Sequence, residues 1–328
     1  MTTRLSGLLD EAMRAGRVEG LHAVVVLRGG QTVLEYYGVG EDSAWGDALG
    51  EVTFGPETLH DMRSVTKSVT ALAYGIALGE RRVPPPGEPL LRQFPQYPEL
   101  AADPGRARLT VEHALTMSLG LEWREDIPYN SPANAEIAME QAPDRYKFVL
   151  ERPILDPPGT RWNYCGGATA LLGGLIADGT GQSLAQFARA ALFDPLGVDS
   201  FEWLTGSDGV PSAASGLRLA PRDLARIGEL VLARGEWGGR QVVPADWIHT
   251  MLQPRLSTDW GDGYGYQWYL ATLGGHRMPA AMGNGGQRLT ILPDLDLTVA
   301  ITAGNYDSPD QWQTPQAVLE QVILPTLA

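Results

Sequence analysis

Strand-forming segments sit at the two ends of this chain, with a long helical stretch between them, and that arrangement restricts the fold more than any other feature. HAVVVLRGG and TVLEYYG, starting at His22, read as two strands around a Gly-Gly hairpin turn. Near the other end, YGYQWYLATL, RLTILPD and LTVAITAGN alternate or run apolar, separated by turn residues. Between about residues 109 and 196 the signals are mostly helical, with long loops, and 221–233 is helical again. Residues 5–17 and the closing QAVLEQVILPTL also have helical spacing. The natural solution is one antiparallel sheet fed by both ends and split by a helical insertion, an α/β (α+β) fold. The expected division is a sheet domain from 1–62 and 200–328, a mainly helical domain from 63–199, and a site at their interface.

Bulk properties exclude several functions. The 328 residues carry 25 Lys and Arg against 39 Asp and Glu, a formal net charge of -14. Such a chain repels nucleic-acid phosphates and anionic membranes, so neither is expected as a partner. Cys165 is the only cysteine, which leaves no intrachain disulfide and no zinc site built from paired thiolates. The first residues, MTTRLSGLLDEAMRAGRVEG, are amphipathic, unlike a secretory signal or an anchor. No run is long and apolar enough to cross a bilayer, and a soluble, cytoplasmic protein is expected. With no H-E-x-x-H, phosphate-binding loop or dinucleotide fingerprint, neither metal nor cofactor is expected.

Chemistry enters at DMRSVTKSVTALAYG, residues 61–75. Ser64 and Lys67, three apart on a helix, lie side by side near its N-terminus. A serine hydroxyl becomes a good nucleophile when a neighbouring base takes its proton. Lysine serves as that base when neutral, and burial favours the neutral amine. The plain alternative is an ordinary helix start whose lysine snorkels to water. Two further elements favour catalysis. In ILDPPGTRWNYCGGATALLGG, Tyr164 stands between a Pro-Gly turn and a small-residue helix, where it can relay protons. In AAMGNGGQRLTILPDLDLTVAI, a glycine-dense bend joins two strands, and an N–H there can complete an oxyanion hole with that of Ser64. A buried aromatic and a simple hairpin are their structural counterparts.

SVTK in its helix, YCG after a PGT turn, and the glycine-rich third motif before LPDLDL resemble the serine β-lactamase and penicillin-recognising superfamily. More closely, the chain resembles class C β-lactamase-like esterases and 6-aminohexanoate-dimer hydrolases. The likeness runs from about His22 to Asn305 and includes LTVEHALTMSLGLEW, LFDPLGV and LRLAPRDLARIG. It implies the serine β-lactamase fold and a serine hydrolase that cleaves an ester or amide through an acyl-Ser64 intermediate. By resemblance Ser64 is the nucleophile, Lys67 its base partner, and Tyr164 the tyrosine of the Y-x-N element. Ala281, Met282 and Gly283 take the place of K-T-G, and the backbone N–H of Asn284 becomes the second oxyanion donor, with Gly285 beside it.

Two departures argue against an efficient β-lactamase or D,D-peptidase. Gly166 replaces the asparagine of Y-x-N. No Lys-Thr or histidine stands in the third motif to meet a substrate carboxylate; Arg277 and Arg288 are near in sequence, with side-chain directions left open. A true β-lactamase, a D-amino-acid peptidase and a catalytically silent binding protein of the same fold are the alternatives. A Ser–His–Asp hydrolase lacks its G-x-S-x-G elbow, and His60 and His113 read as structural or surface residues. Cys165 reads as a small buried residue. The acidic, aromatic loop at 122–144 is expected to line the cleft with Trp123 and Tyr129. Glu125, Asp126 or Asp144 are candidates to meet a substrate amine there. The expected ligand is a small ester or amide; oligomeric state is not readable.

Overall fold

The structure, a computed structural model, describes residues 2–129 and 131–326. Eight strands form the main sheet: β1 Leu21–Arg28, β2 Gln31–Tyr37, β3 Leu256–Ser257, β4 Gly263–Tyr264, β5 Tyr269–Leu273, β6 His276–Gly283, β7 Gln287–Leu292 and β8 Leu297–Ala303. Their order is β3-β4-β5-β6-β7-β8-β1-β2, antiparallel throughout. The N-terminal hairpin therefore docks on the last strand of the chain, with Val24 opposite Ile301 and Val26 opposite Val299. Gly29 and Gly30, both at positive φ, make its tight turn.

Strand alternation divides the core in two. Val24, Val26, Val299 and Ile301 face Leu5 and Leu9 of helix α1 (Thr2–Arg14) together with Val318, Leu319 and Val322 near the C-terminus. On the opposite face Val25, Leu289 and Ala300 belong to a larger core that takes in helix α2 (Val65–Gly79), helix α3 (Gly166–Thr180) and helix α4 (Pro221–Leu232). Every residue of α2 from Val65 to Ala77 is buried. A helix that is covered all round is a fixed post, and the nucleophile candidate stands at its top.

Two details depart from the sequence reading. Residues 39–53, too polar to stand out as strands, form a hairpin of Val39–Ala44 and Asp47–Thr53. YGYQWYLATL is broken between β4 and β5 at Gln267, whose φ is 60°. Its side chain, buried, accepts from Thr169 Oγ1 at 2.7 Å and donates to the Ala114 carbonyl at 2.9 Å. These tertiary bonds override the local strand preference.

Candidate active site

Ser64 stands at the N-cap position of α2 without a capping side-chain bond, and the turn before it is strained. Arg63 has φ 47°, a left-handed conformation that costs a non-glycine residue about 1–3 kcal/mol. Asp61 holds its guanidinium at 3.2 Å, and the Tyr306 ring lies beneath it at 4.8 Å. The turn aims Ser64 into a cavity of about 1060 Å³, lined also by Trp123, Tyr129, Trp162, Tyr164 and Trp260.

One helical turn on, the buried Lys67 Nζ donates to Ser64 Oγ at 3.1 Å, the Ala214 carbonyl at 3.2 Å and Glu136 Oε2 at 3.3 Å. Glu125 Oε1 lies 3.9 Å away, and the Tyr164 ring centroid 4.8 Å away. The Tyr164 hydroxyl interacts with both Ser64 and Lys67. This corrects the expectation of a neutral lysine. Burial, the largest single influence, does favour the amine, but Glu136, Tyr164 and Glu125 together outweigh it and hold the pKa above its ordinary value. Lys67 rests as an ammonium. Burial also pushes the Tyr164 hydroxyl up, against the opposing pull of Lys67, so Tyr164 rests as a phenol.

Glu125 and Glu136 form a buried carboxyl pair beneath the lysine. Desolvation and then Glu136 push Glu125 well above the carboxylate range, so it keeps its proton. Burial raises Glu136 too, but Lys67, then hydrogen bonds from Glu125 and Ser215, hold it below its ordinary value. The pair thus divides into one neutral acid and one carboxylate. Glu125 is fixed by the N–H groups of Gly166 and Trp123 Nε1, and Tyr129 donates to its other oxygen at 3.4 Å. Glu136 is set in the first turn of the helix Ala135–Glu140, which Asn134 caps.

The departure at Gly166 now has a physical reason. A Cβ there would lie 2.6 Å from Glu136 Oε2 and 3.1 Å from Glu125 Oε2. The carboxyl pair occupies the space that an asparagine side chain would fill.

Across the cavity, Gly283 ends β6 against the nucleophile turn. A Cβ at that position would be 2.4 Å from the Met62 carbonyl oxygen, so glycine alone permits the approach. Among the described residues, neither the Ser64 N–H nor the Asn284 N–H is committed to a backbone partner. Asn284 is held by reciprocal bonds with Asp307 at 3.0 Å and by Gln287 Nε2 donating to its carbonyl at 3.1 Å. The Gly285 N–H is tied to Gln311 at 2.6 Å. Two free donors on rigid supports are the requirement for an oxyanion hole.

Ser64, Trp123, Tyr129, Tyr164 and Asn284 all line the cavity, while Gly166, Gly283 and Gly285 act from behind it by making room. Asp126 also lines it, but Asp144 does not: it caps the helix Arg145–Leu150 and accepts from Tyr97 at 2.7 Å. Glu125 is spent inside the carboxyl pair. Arg277 points outward to the Leu252 carbonyl at 3.5 Å, whereas Arg288 faces the cavity. Its Nε has no hydrogen-bond partner, and burial lowers its pKa to about 10, with Asp262 opposing from beyond ion-pair reach. Glu136 and the Ala214 carbonyl, which reach the lysine, and Ser215, which reaches Glu136, escaped the sequence reading, because nothing local marks a residue that arrives from a distant part of the chain.

The remaining titratable groups serve structure. Burial pushes the Cys165 thiol up, and its sulfur caps α3. His113 completes the capping box of the helix Val111–Leu115. His22, Asp42 and His60 have ligand-type atoms within 4.8 Å of one another, yet three of the four ring nitrogens are already engaged: His22 Nδ1 with His60 Nε2 at 2.9 Å, and His60 Nδ1 with the Asp61 carbonyl at 3.0 Å. No helix among the described residues is long and apolar enough to cross a membrane.

Known proteins resemble this chain in sequence and in fold. The chain is 26% identical over 311 residues to a 6-aminohexanoate-dimer hydrolase of Paenarthrobacter ureafaciens, covering 88% of this chain and 73% of that one. It is 27% identical over 208 residues to esterase EstB of Burkholderia gladioli, covering 60% of this chain and half of the esterase. Its fold superposes on that of EstCE1, a hydrolase with promiscuous acyltransferase activity, with a TM-score of 0.75 at 16% identity, over 97% of this chain and 98% of the other. The Beta-lactamase family profile matches residues 5–322, so the helix-borne serine and lysine, the tyrosine before α3 and the glycine-lined strand end sit in a chain that belongs to the beta-lactamase family.

Proposed function

We propose that the protein hydrolyses a carboxylic ester or amide through an acyl-Ser64 intermediate. The observation that carries this reading is the 3.1 Å contact between Lys67 Nζ and Ser64 Oγ at a large cavity that Asn284 also lines, the backbone N–H groups of Ser64 and Asn284 both being uncommitted. Ser64 attacks the carbonyl as its hydroxyl proton passes into the network around Lys67 and Tyr164, the N–H groups of Ser64 and Asn284 receive the oxyanion, and the network returns that proton to the leaving group. Water then releases the acyl group through the same proton path. The names of the relatives, an amide hydrolase and an esterase, agree with this chemistry.

Arg288 supports a narrower statement about substrate. A buried guanidinium whose Nε has no hydrogen-bond partner, and which has the Trp312 ring at 5.9 Å in place of a carboxylate, is only partly compensated, and an anionic ligand would complete it. We therefore read the substrate as carrying a carboxylate, with its apolar part against the Trp and Tyr walls. A panel of neutral p-nitrophenyl esters, the matching half-esters of dicarboxylic acids, nitrocefin and a linear amino-acid oligomer, run on wild type and Ser64→Ala, tests both statements. Turnover of esters or the oligomer that vanishes in Ser64→Ala is expected, with half-esters preferred. Equal turnover by Ser64→Ala removes the acyl-serine reading, and nitrocefin as the best substrate would replace it with a β-lactamase.

A further inference from the structure

We propose that Glu136 is the final acceptor of the Ser64 proton, reached through Lys67, so that a buried carboxylate and not a free amine sets the base strength of the site. This inference rests on the acyl-serine reading above.

The geometry is specific. Lys67 Nζ donates to Ser64 Oγ at 3.1 Å on one side and to Glu136 Oε2 at 3.3 Å on the other, with the Ala214 carbonyl at 3.2 Å and the Tyr164 hydroxyl also against it, so the ammonium bridges the serine and the carboxylate. A carboxylate in contact with the lysine is built into the core: Asn134 caps its helix, and Gly166 leaves the volume into which the carboxyl group projects. Glu125, itself pinned by Gly166 and Trp123, turns its acid toward Glu136 and leaves that one the charged member of the pair. An ion pair buried this deeply is not a device for stability, since desolvation offsets most of its attraction. It is suited to moving a proton over a short distance.

The step balances. As Ser64 Oγ bonds to the carbonyl carbon, its O–H bond breaks and that proton joins Lys67 Nζ. Lys67 simultaneously releases to Glu136 Oε2 the proton it directs there, and the carbonyl π pair moves to oxygen. The net change is one proton shifted from Ser64 to Glu136, with Lys67 a cation before and after. When the oxyanion collapses, the bond to the leaving group breaks, Glu136 Oε2 returns its proton to Lys67 Nζ, and Lys67 passes one of its protons to the leaving group, Ser64 Oγ now being the ester oxygen. Glu136 takes up the proton through Lys67 and not from Ser64 directly, so its effect on catalysis is read through the lysine.

The test is the pH dependence of kcat/KM for p-nitrophenyl butyrate. Wild type is expected to rise with a carboxyl ionisation well below pH 7 and to stay level from neutrality upward, and the midpoint of that rise should hardly move with temperature, as carboxyl ionisations do. Glu136→Gln should move the rise into the alkaline range, where Lys67 must lose its own proton, with activity at pH 7 down about 10²-fold and recovering by pH 10. Glu136→Asp should keep the acidic midpoint at a reduced rate. Glu125→Gln, whatever its rate, should also keep it, because the amide can still donate to Glu136. A wild-type rise that is alkaline and falls steeply with temperature overturns the inference even if no variant folds. So does a Glu136→Gln profile that is lowered evenly at every pH. Absence of any Ser64 acylation in wild type would instead sink the underlying reading.

Discussion

Replacing Gly283 by Ala should damage catalysis far more than folding. The added methyl would sit 2.4 Å from the Met62 carbonyl oxygen, which is backbone and cannot rotate away. To reach even 3.0 Å, the two chains must part by about 0.6 Å, and an unstrained C···O contact needs roughly 0.9 Å. Met62 is anchored, its N–H bonded to the Leu217 carbonyl at 2.9 Å, and β6 is locked into the sheet on both sides. The two oxyanion donors flank this contact, Ser64 on one chain and Asn284 on the other. Parting the chains opens the hole by a similar distance, taking one N–H···O from about 2.9 Å to about 3.5–3.8 Å, which is no longer a hydrogen bond. Loss of one donor lowers kcat by about 10²–10³. Overpacking of this kind costs about 1–3 kcal/mol of stability. Steady-state hydrolysis of p-nitrophenyl butyrate at 15 °C, beside thermal melts followed by circular dichroism, separates the two effects. A Gly283→Ala enzyme with wild-type kcat would refute this geometry of the oxyanion hole; a variant whose entire defect disappears on cooling would reduce it to stability.

Two further outcomes follow from groups whose burial is only partly compensated, Arg288 by the Trp312 ring at 5.9 Å and Glu140 by Arg145 Nη2 at 3.0 Å. Arg288→Gln should raise KM for half-esters by about 10–100-fold, the value of a charge-assisted hydrogen bond, leave neutral esters nearly unchanged, and raise Tm; a lowered Tm with both substrate classes hurt equally would make Arg288 structural. Glu140, pushed up to about 7 by burial from 4.5, keeps its proton in the folded state while the unfolded chain releases it. Its contribution to stability is therefore full below pH 4.5 and is lost as pH rises to about 7. Glu140→Gln should remove this fall, worth about 1–3 kcal/mol, and melts at pH 4.5 and 7.5 that drop equally in wild type and variant would contradict it.

The fold was legible because its determinants are local. Val24, Val25 and Val26 alternate between two faces, the Gly29–Gly30 turn forces a hairpin, and the apolar run after Ser64 has nowhere to go except a core. Ser64, Lys67 and Tyr164 were legible because helix spacing and a recurrent motif place them. The electrostatic state of Lys67 was not. Burial of the lysine could be read from its helix, but the sign of its pKa shift depends on Glu136, 69 residues away in the chain. Gly166 looked like a lost asparagine until the carboxyl pair was seen in its place. Arg277 and Arg288 were indistinguishable in sequence, although strand pairing sends one to the surface and the other, opposite Met282, into the cavity.

The central claim is tested most directly by the mass of the enzyme after exposure to a fluorophosphonate or a slowly released activated ester, followed by peptide mapping. The account predicts one acyl or phosphonyl group per chain, on Ser64, and none on Ser64→Ala. An unmodified wild-type chain, or a group carried by any other residue, would contradict it.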